Sequence, residues 1–171
     1  MVQVRKILVV RLGAMGDVIH ALPAVARLKR SFPGVHISWA VESQWMPLLE
    51  NNPDVDAVID IPLSRWWKHP SSLSIWRSLY GASYRLRQSK FDLAIDFQGL
   101  LKSAAVTYFS HADRIFGFDR ETVRERLAAS FYSDQVTPHS EHVVDRNLDL
   151  TTAVGAQNGP LIFSLPLGKI S

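Results

Sequence analysis

One pattern leaves this chain few folds to choose from. Short apolar runs rich in β-branched residues alternate with longer stretches whose apolar residues recur every three or four positions. Residues 6–10 (KILVV) are the first such run, and unbroken apolar character fits a strand buried on both faces. Gly13 to Gly16 forms a turn, and Val18, Leu22, Val25 and Leu28 then mark a helical stripe over residues 17–31. Pro23 lies inside that stripe, so the helix kinks there or its regular part begins there. Phe32-Pro33-Gly34 ends it. The alternation continues with strands expected over 35–41, 55–61, 91–97 and 114–118. Helices are expected over 44–50, 72–89 and 100–109, and near 121–132 and 141–154.

Strand and helix alternating along the chain predict an α/β fold: a Rossmann-like, doubly wound parallel sheet with right-handed crossovers. The 171 residues suit one such domain. Ligands of these sheets bind beyond the carboxyl ends of the strands. The turns at 11–17, 62–70 and 97–102 share that edge. After the break at Gly155 to Pro160 comes "LIFSLPLGKIS", an apolar stretch that leaves a finished α/β unit. The domain is therefore expected over 1–158, with 159–171 as the start of a linker to something further.

Composition removes several classes of function. Without cysteine there is no disulfide, thiolate nucleophile or cysteine-based zinc site. A formal charge of +3 is too small for a general polyanion surface, so nucleic acid is not an expected partner. A site for an anionic ligand fits the mild basic excess better. The run Ile7 to Val10 is too short for a signal peptide, and no window can cross a bilayer. The cytoplasm is the expected location, with room for a peripheral membrane contact.

Asp17 is the first candidate for chemistry, and two readings stand open. An aspartate at a helix start caps free N–H groups and complements the dipole. A carboxylate at the mouth of the ligand edge can also serve as a general base, with His20 one turn further on. The G-x-x-G-D spacing lacks both the dinucleotide fingerprint and the P-loop Lys-Ser/Thr, which speaks against a nicotinamide-dependent oxidoreductase. In "SRWWKHP", Arg65 and Lys68 flank two tryptophans. That loop is either anchored in the core with solvated cations or an anion-binding loop. In "DFQGLLKSA", Lys102 falls in the first turn of a helix, where a bound anion would offset an unfavourable dipole. Arg120, Arg124 and Arg126 alternate with acids and read as a solvated face. His142 and Arg146 stand four residues apart on an expected helix. No spacing of His, Asp and Glu makes a convincing metal site.

Taken in order, "ILVVRLGAMGDVIHALPA", "FDLAIDFQGLLKSA" and "VRERLAASFY" resemble the bacterial lipopolysaccharide heptosyltransferases, over about residues 4 to 155. The Q-G-L-x-K-S-A block points to the type I branch. The resemblance implies the GT-B arrangement, two Rossmann-like domains with the active site between them. It implies inverting, metal-independent transfer of heptose from ADP-L-glycero-β-D-manno-heptose to Kdo-lipid A, with no cofactor. It places the catalytic base on Asp17 and acceptor-binding cations on Arg65, Lys68, Lys102, Arg124, His142 and Arg146. It also implies that this chain is the N-terminal, acceptor-binding half, with the donor-binding domain absent and little activity alone. Peripheral contact with the cytoplasmic face of the inner membrane follows from a lipid-borne acceptor. The competing reading is a non-catalytic domain that binds anionic saccharides or lipid headgroups.

Overall fold

The apolar runs become strands because a parallel sheet buries both faces of each strand, which only continuous Val, Ile, Leu and Ala stretches tolerate. The structure, a computed structural model, describes residues 4–63, Ser71 and residues 73–164. In chain order they form β1 (Lys6–Val10), α1 (Met15–Ser31), β2 (His36–Val41), β3 (Ala57–Asp60), α2 (Leu73–Ser89) and β4 (Leu93–Asp96). Then come α3 (Leu101–Phe109), β5 (Arg114–Phe118), β6 (Asp134–Val136) and α4 (Val143–Val154). Two 3-10 helices, Ser43–Leu48 and Arg126–Phe131, stand in the connections.

All strand pairs are parallel, in the order β3-β2-β1-β4-β5-β6. This is the doubly wound arrangement that the alternation predicts. β1 is central, with Val9 opposite Trp39 on β2 and Ile95 on β4, all three fully buried. The chain turns one way from β1 to β2 and the other way from β4 to β5. Right-handed crossovers therefore put α1 and α3 on opposite faces. α4 packs on α1, while α2, α3 and the second 3-10 helix pack together. The switch in direction opens a crevice between the carboxyl ends of β1 and β4.

The structure differs from the expected elements in four places. α1 begins at Met15 and runs through the buried Pro23 without a break. The stretch expected as a helix over 44–50 is a 3-10 helix with Pro47 inside it. Residues 121–132 are not an α-helix. Asp119 Oδ1 accepts from the Thr122 amide at 2.9 Å and its hydroxyl at 2.6 Å, a local turn that competes with helical bonding. A 3-10 helix follows, and after it β6 adds a sixth strand. Its residues Asp134-Gln135-Val136 are too few and too polar to register as an apolar run.

The segment after α4 lies along the domain surface. Arg30 donates to the Pro160 carbonyl at 3.1 Å, and Asn52 donates to the Ser164 carbonyl at 2.5 Å.

Candidate active site at the switch in strand direction

Arg11 follows the last residue of β1 and is 1% exposed. Its Nη1 donates to the Phe97 carbonyl beyond β4, and its Nη2 lies 2.6 Å from Asp17 Oδ2. The Arg11 carbonyl accepts from the Trp39 indole at 3.2 Å. Gln98 ties the same two strand ends together, its Oε1 accepting from the Leu12 amide at 2.8 Å. Burial pushes the Arg11 pKa down and the Asp17 charge opposes that shift; a guanidinium remains charged throughout.

Asp17 is the third residue of α1, and its side chain is 25% exposed. It does not cap the helix. The N-cap position is Ala14, with no side-chain cap bond. The carboxylate instead turns to Arg11 and to Arg124, whose Nη2 lies 3.5 Å away. A quarter-exposed carboxylate fixed between two guanidiniums at the ligand edge can accept a proton from a bound hydroxyl. Among the described residues no other backbone packs against either flanking glycine. Gly13 backs onto the Trp45 indole, and Gly16 faces open space. His20 is packed, with its carbonyl accepting from Asn147 at 3.2 Å and its buried Nδ1 lacking a partner among the described residues.

Beneath the crevice sits Asp96, fully buried. It accepts from the Gln98 and Gly99 amides at 2.8 and 3.1 Å, the Ser103 hydroxyl at 2.8 Å and the Tyr132 hydroxyl at 2.7 Å. Burial pushes its pKa up, against those four bonds, and burial also pushes the Tyr132 phenol up. Asp96 thus shapes the 97–100 turn from inside. Tyr132 reaches it only because β5 has Gly117 in its path. A Cβ there would stand 2.3 Å from the Tyr132 ring.

At the start of α3 the chain supplies its own anions. The Leu101 amide donates to Glu125 Oε2 at 2.5 Å, and the Leu100 amide to Ser103 Oγ at 3.1 Å. Lys102 stands 3.5 Å from Glu42 Oε1. The anion expected to offset Lys102 is therefore first of all an internal carboxylate, although Lys102 stays 41% exposed.

Arg146 donates to the Thr122 carbonyl at 2.6 Å and lies 4.6 Å over the Phe118 ring. With Arg124 it lines a pocket of about 160 Å³ floored by Phe97 and Gln98, with Glu141 and Asn147 beside it. His142 is not drawn into this group. It is the exposed N-cap residue of α4, so the shared helix face expected for His142 and Arg146 does not form. Arg126 pairs with Glu121 at 2.8 Å in solvent, as the alternating charges predict. Arg65 and Lys68 lie outside the described residues. Among the described residues no group of His, Asp and Glu could hold a metal ion, and no helix is long and apolar enough to cross a membrane.

Asp17, Arg124, Lys102 and Arg146 thus gather on one edge. Arg11, Glu42, Gln98 and Glu125 join them without having been singled out from sequence. Arg11 carried a signal, a charge directly behind four buried apolar residues. Glu42 and Glu125 carried none, because their partners are remote in sequence.

The chain is similar to known proteins along most of its length. A family model described as glycosyltransferase family 9 (heptosyltransferase) matches residues 81–166. The chain is 34% identical over 151 residues to lipopolysaccharide heptosyltransferase 1 of Pseudomonas aeruginosa, covering 85% of the chain and 41% of that protein. It is also 34% identical over 147 residues to lipopolysaccharide heptosyltransferase 1 of Escherichia coli K12, covering 85% of the chain and 46% of that protein. The chain therefore spans about half the length of the curated relatives it matches. Among solved structures, E. coli heptosyltransferase WaaC with ADP-2-deoxy-2-fluoro heptose superposes with a TM-score of 0.85 at 31% identity, over 92% of this chain and 51% of that one. E. coli ADP-heptose lps heptosyltransferase II shares the fold, with a TM-score of 0.70 at 21% identity over 96% of this chain and 47% of that one.

Proposed function

This chain belongs to glycosyltransferase family 9, the heptosyltransferases, and from that premise we propose that it forms the acceptor-binding side of an enzyme transferring heptose from ADP-heptose to Kdo-lipid A. The observation that carries the proposal is the setting of Asp17, a partly exposed carboxylate held between Arg11 and Arg124 at the switch crevice. In the transfer, Asp17 takes the proton of a Kdo hydroxyl while the hydroxyl oxygen bonds to the anomeric carbon. The bond from that carbon to the nucleotide breaks on the opposite face, and ADP leaves with the electron pair. The configuration inverts. Neither a metal nor a cofactor enters this scheme.

Arg124, Lys102 and Arg146 bind the acceptor's carboxylates and phosphates. Arg65, Lys68 and His142 belong to the same group by family resemblance alone. Lys102 exchanges Glu42 for the ligand's anion, since a 3.5 Å pair at a half-exposed lysine is weak. The reading assigns the domain to residues 1–158 and the start of an interdomain linker to 159–171. The donor is held by a second domain of the same enzyme, and the reaction takes place at the cytoplasmic face of the inner membrane. Bringing donor and acceptor together is a large part of the catalysis, so transfer needs both domains.

The test is ADP release from ADP-heptose and Kdo-lipid A by the enzyme that carries this chain together with its donor domain. Asp17→Asn is expected to lose about a hundredfold or more of the turnover while retaining acceptor binding. Turnover within a few-fold of the parent would remove Asp17 from the role of base.

A further inference from the structure

α2 is unlike the other helices of this chain. It runs LSIWRSLYGASYRLRQS, with three arginines and no acidic residue. At one hundred degrees per residue, Leu73, Trp76, Tyr80 and Tyr84 fall on one stripe, and Arg77 and Arg87 fall within the same arc. The opposite side, with Ala82 and Leu86, is buried on the domain. The stripe faces outward: Leu73 is 66% exposed, Trp76 51%, Tyr80 75% and Tyr84 55%. Beside it, Leu79 of α2 and Phe109 of α3 help line an apolar groove of about 440 Å³ between the two helices, with Lys102 at its rim.

We propose that this face of α2 docks on an anionic lipid bilayer, with the aromatic stripe at the headgroup boundary and Arg77 and Arg87 on lipid phosphates. The chemistry selects this occupant. A helix with tyrosine, tryptophan and leucine along one line, flanked by cations and free of acids, has the composition of an interfacial helix. Tyrosine and tryptophan carry an apolar ring with a polar handle, which suits a surface that is wet on one side. The arginine excess complements an anionic surface and would repel a second copy of the same face. Lys102 belongs both to the groove rim and to the proposed acceptor site, so a docked α2 brings that site to the height of lipid headgroups. The docking gains its biological sense from the acceptor reading, but its chemistry does not depend on it.

Vesicles without Kdo or lipid A separate the two. The chain is sedimented with vesicles of phosphatidylethanolamine and phosphatidylglycerol, and with neutral phosphatidylcholine vesicles, at low salt. Binding is expected to the anionic vesicles only. Arg77→Gln with Arg87→Gln should weaken it roughly thirtyfold, two surface charges' worth. Tyr80→Ser with Tyr84→Ser should weaken it about tenfold through lost interfacial insertion. Arg85→Gln, one charge removed off the stripe, should weaken binding less than either Arg77→Gln or Arg87→Gln alone. Circular dichroism checks that the variants, all at exposed positions, remain folded. Failure to bind anionic vesicles, equal binding to neutral ones, or binding untouched by both double variants overturns the proposal. So does a concentration-dependent dimer in sedimentation velocity that Tyr80→Ser with Tyr84→Ser dissolves, since a second copy would then own the face. None of these outcomes bears on Asp17, which is tested by ADP release.

Discussion

Asp17 shows how a single residue changes meaning when its neighbours in space are known. A helix-opening aspartate reads first as a cap, but here the cap position belongs to Ala14 and the carboxylate faces Arg11 instead. The two partners are not equivalent. Arg11 is buried, so removing Asp17 leaves a guanidinium in the interior with less compensation, a situation that costs about 3–5 kcal/mol for a fully buried pair. Asp17 is a quarter exposed, which reduces that figure. Arg11→Met removes the interior charge and leaves mainly the Phe97 carbonyl short of a donor, about 1–3 kcal/mol. Urea unfolding should therefore show Asp17→Ala to be at least as destabilising as Arg11→Met. The double variant should be no worse than Asp17→Ala alone. Strict additivity of the two would mean that the pair is not coupled.

Elements are held in place by contacts that strand and helix patterns do not encode. β5 carries Gly117 so that the Tyr132 ring can cross it and reach Asp96. Gly117→Ala pushes a methyl into that ring, and overpacking of this kind costs about 1–3 kcal/mol. Thermal unfolding should fall by several degrees, and Tyr132→Phe should not restore it, because the ring remains. The edge strand β6 is tied to β5 through Arg114, whose Nε donates to Asp134 at 3.2 Å. The hydrogen bond from Arg114 holds the Asp134 carboxyl below its ordinary value, with burial opposing and Ser133 assisting. A carboxyl whose pKa is lower in the folded state gives stability that is present above the unfolded value, near pH 4. That stability is lost as pH falls through the folded value. Arg114→Gln should therefore lower stability at pH 7 and leave it nearly unchanged at pH 2. An equal loss at both would assign the tie to packing.

At the scale of the whole molecule, one edge of the sheet collects cations from several elements. Arg124 lies before the second 3-10 helix, Lys102 on α3 and Arg146 on α4. Kdo-lipid A binding to this chain should accordingly weaken as salt rises, since exposed cations are screened. Lys102→Glu should weaken it further, and calorimetry with no salt dependence would remove these cations from the acceptor site. The α/β class, five of the strands and the sheet edge that carries the site were legible in the sequence, because burial on both faces demands continuous apolar runs. The motif around Asp17 and the block around Lys102 were legible too, as residue types in a fixed local order. The sixth strand was not, since a three-residue edge strand owes its place to pairing with β5 and not to its own composition. Nor could the sequence tell that Lys102 faces Glu42, that Asp17 is shared by Arg11 and Arg124, or that His142 stays outside. Those depend on which strand ends become neighbours and on the side chains that cross between them. Local pattern determined what each segment of this protein is, and only the tertiary structure decided which charges meet, because charges remote in the chain interact through the few ångströms that folding leaves between them.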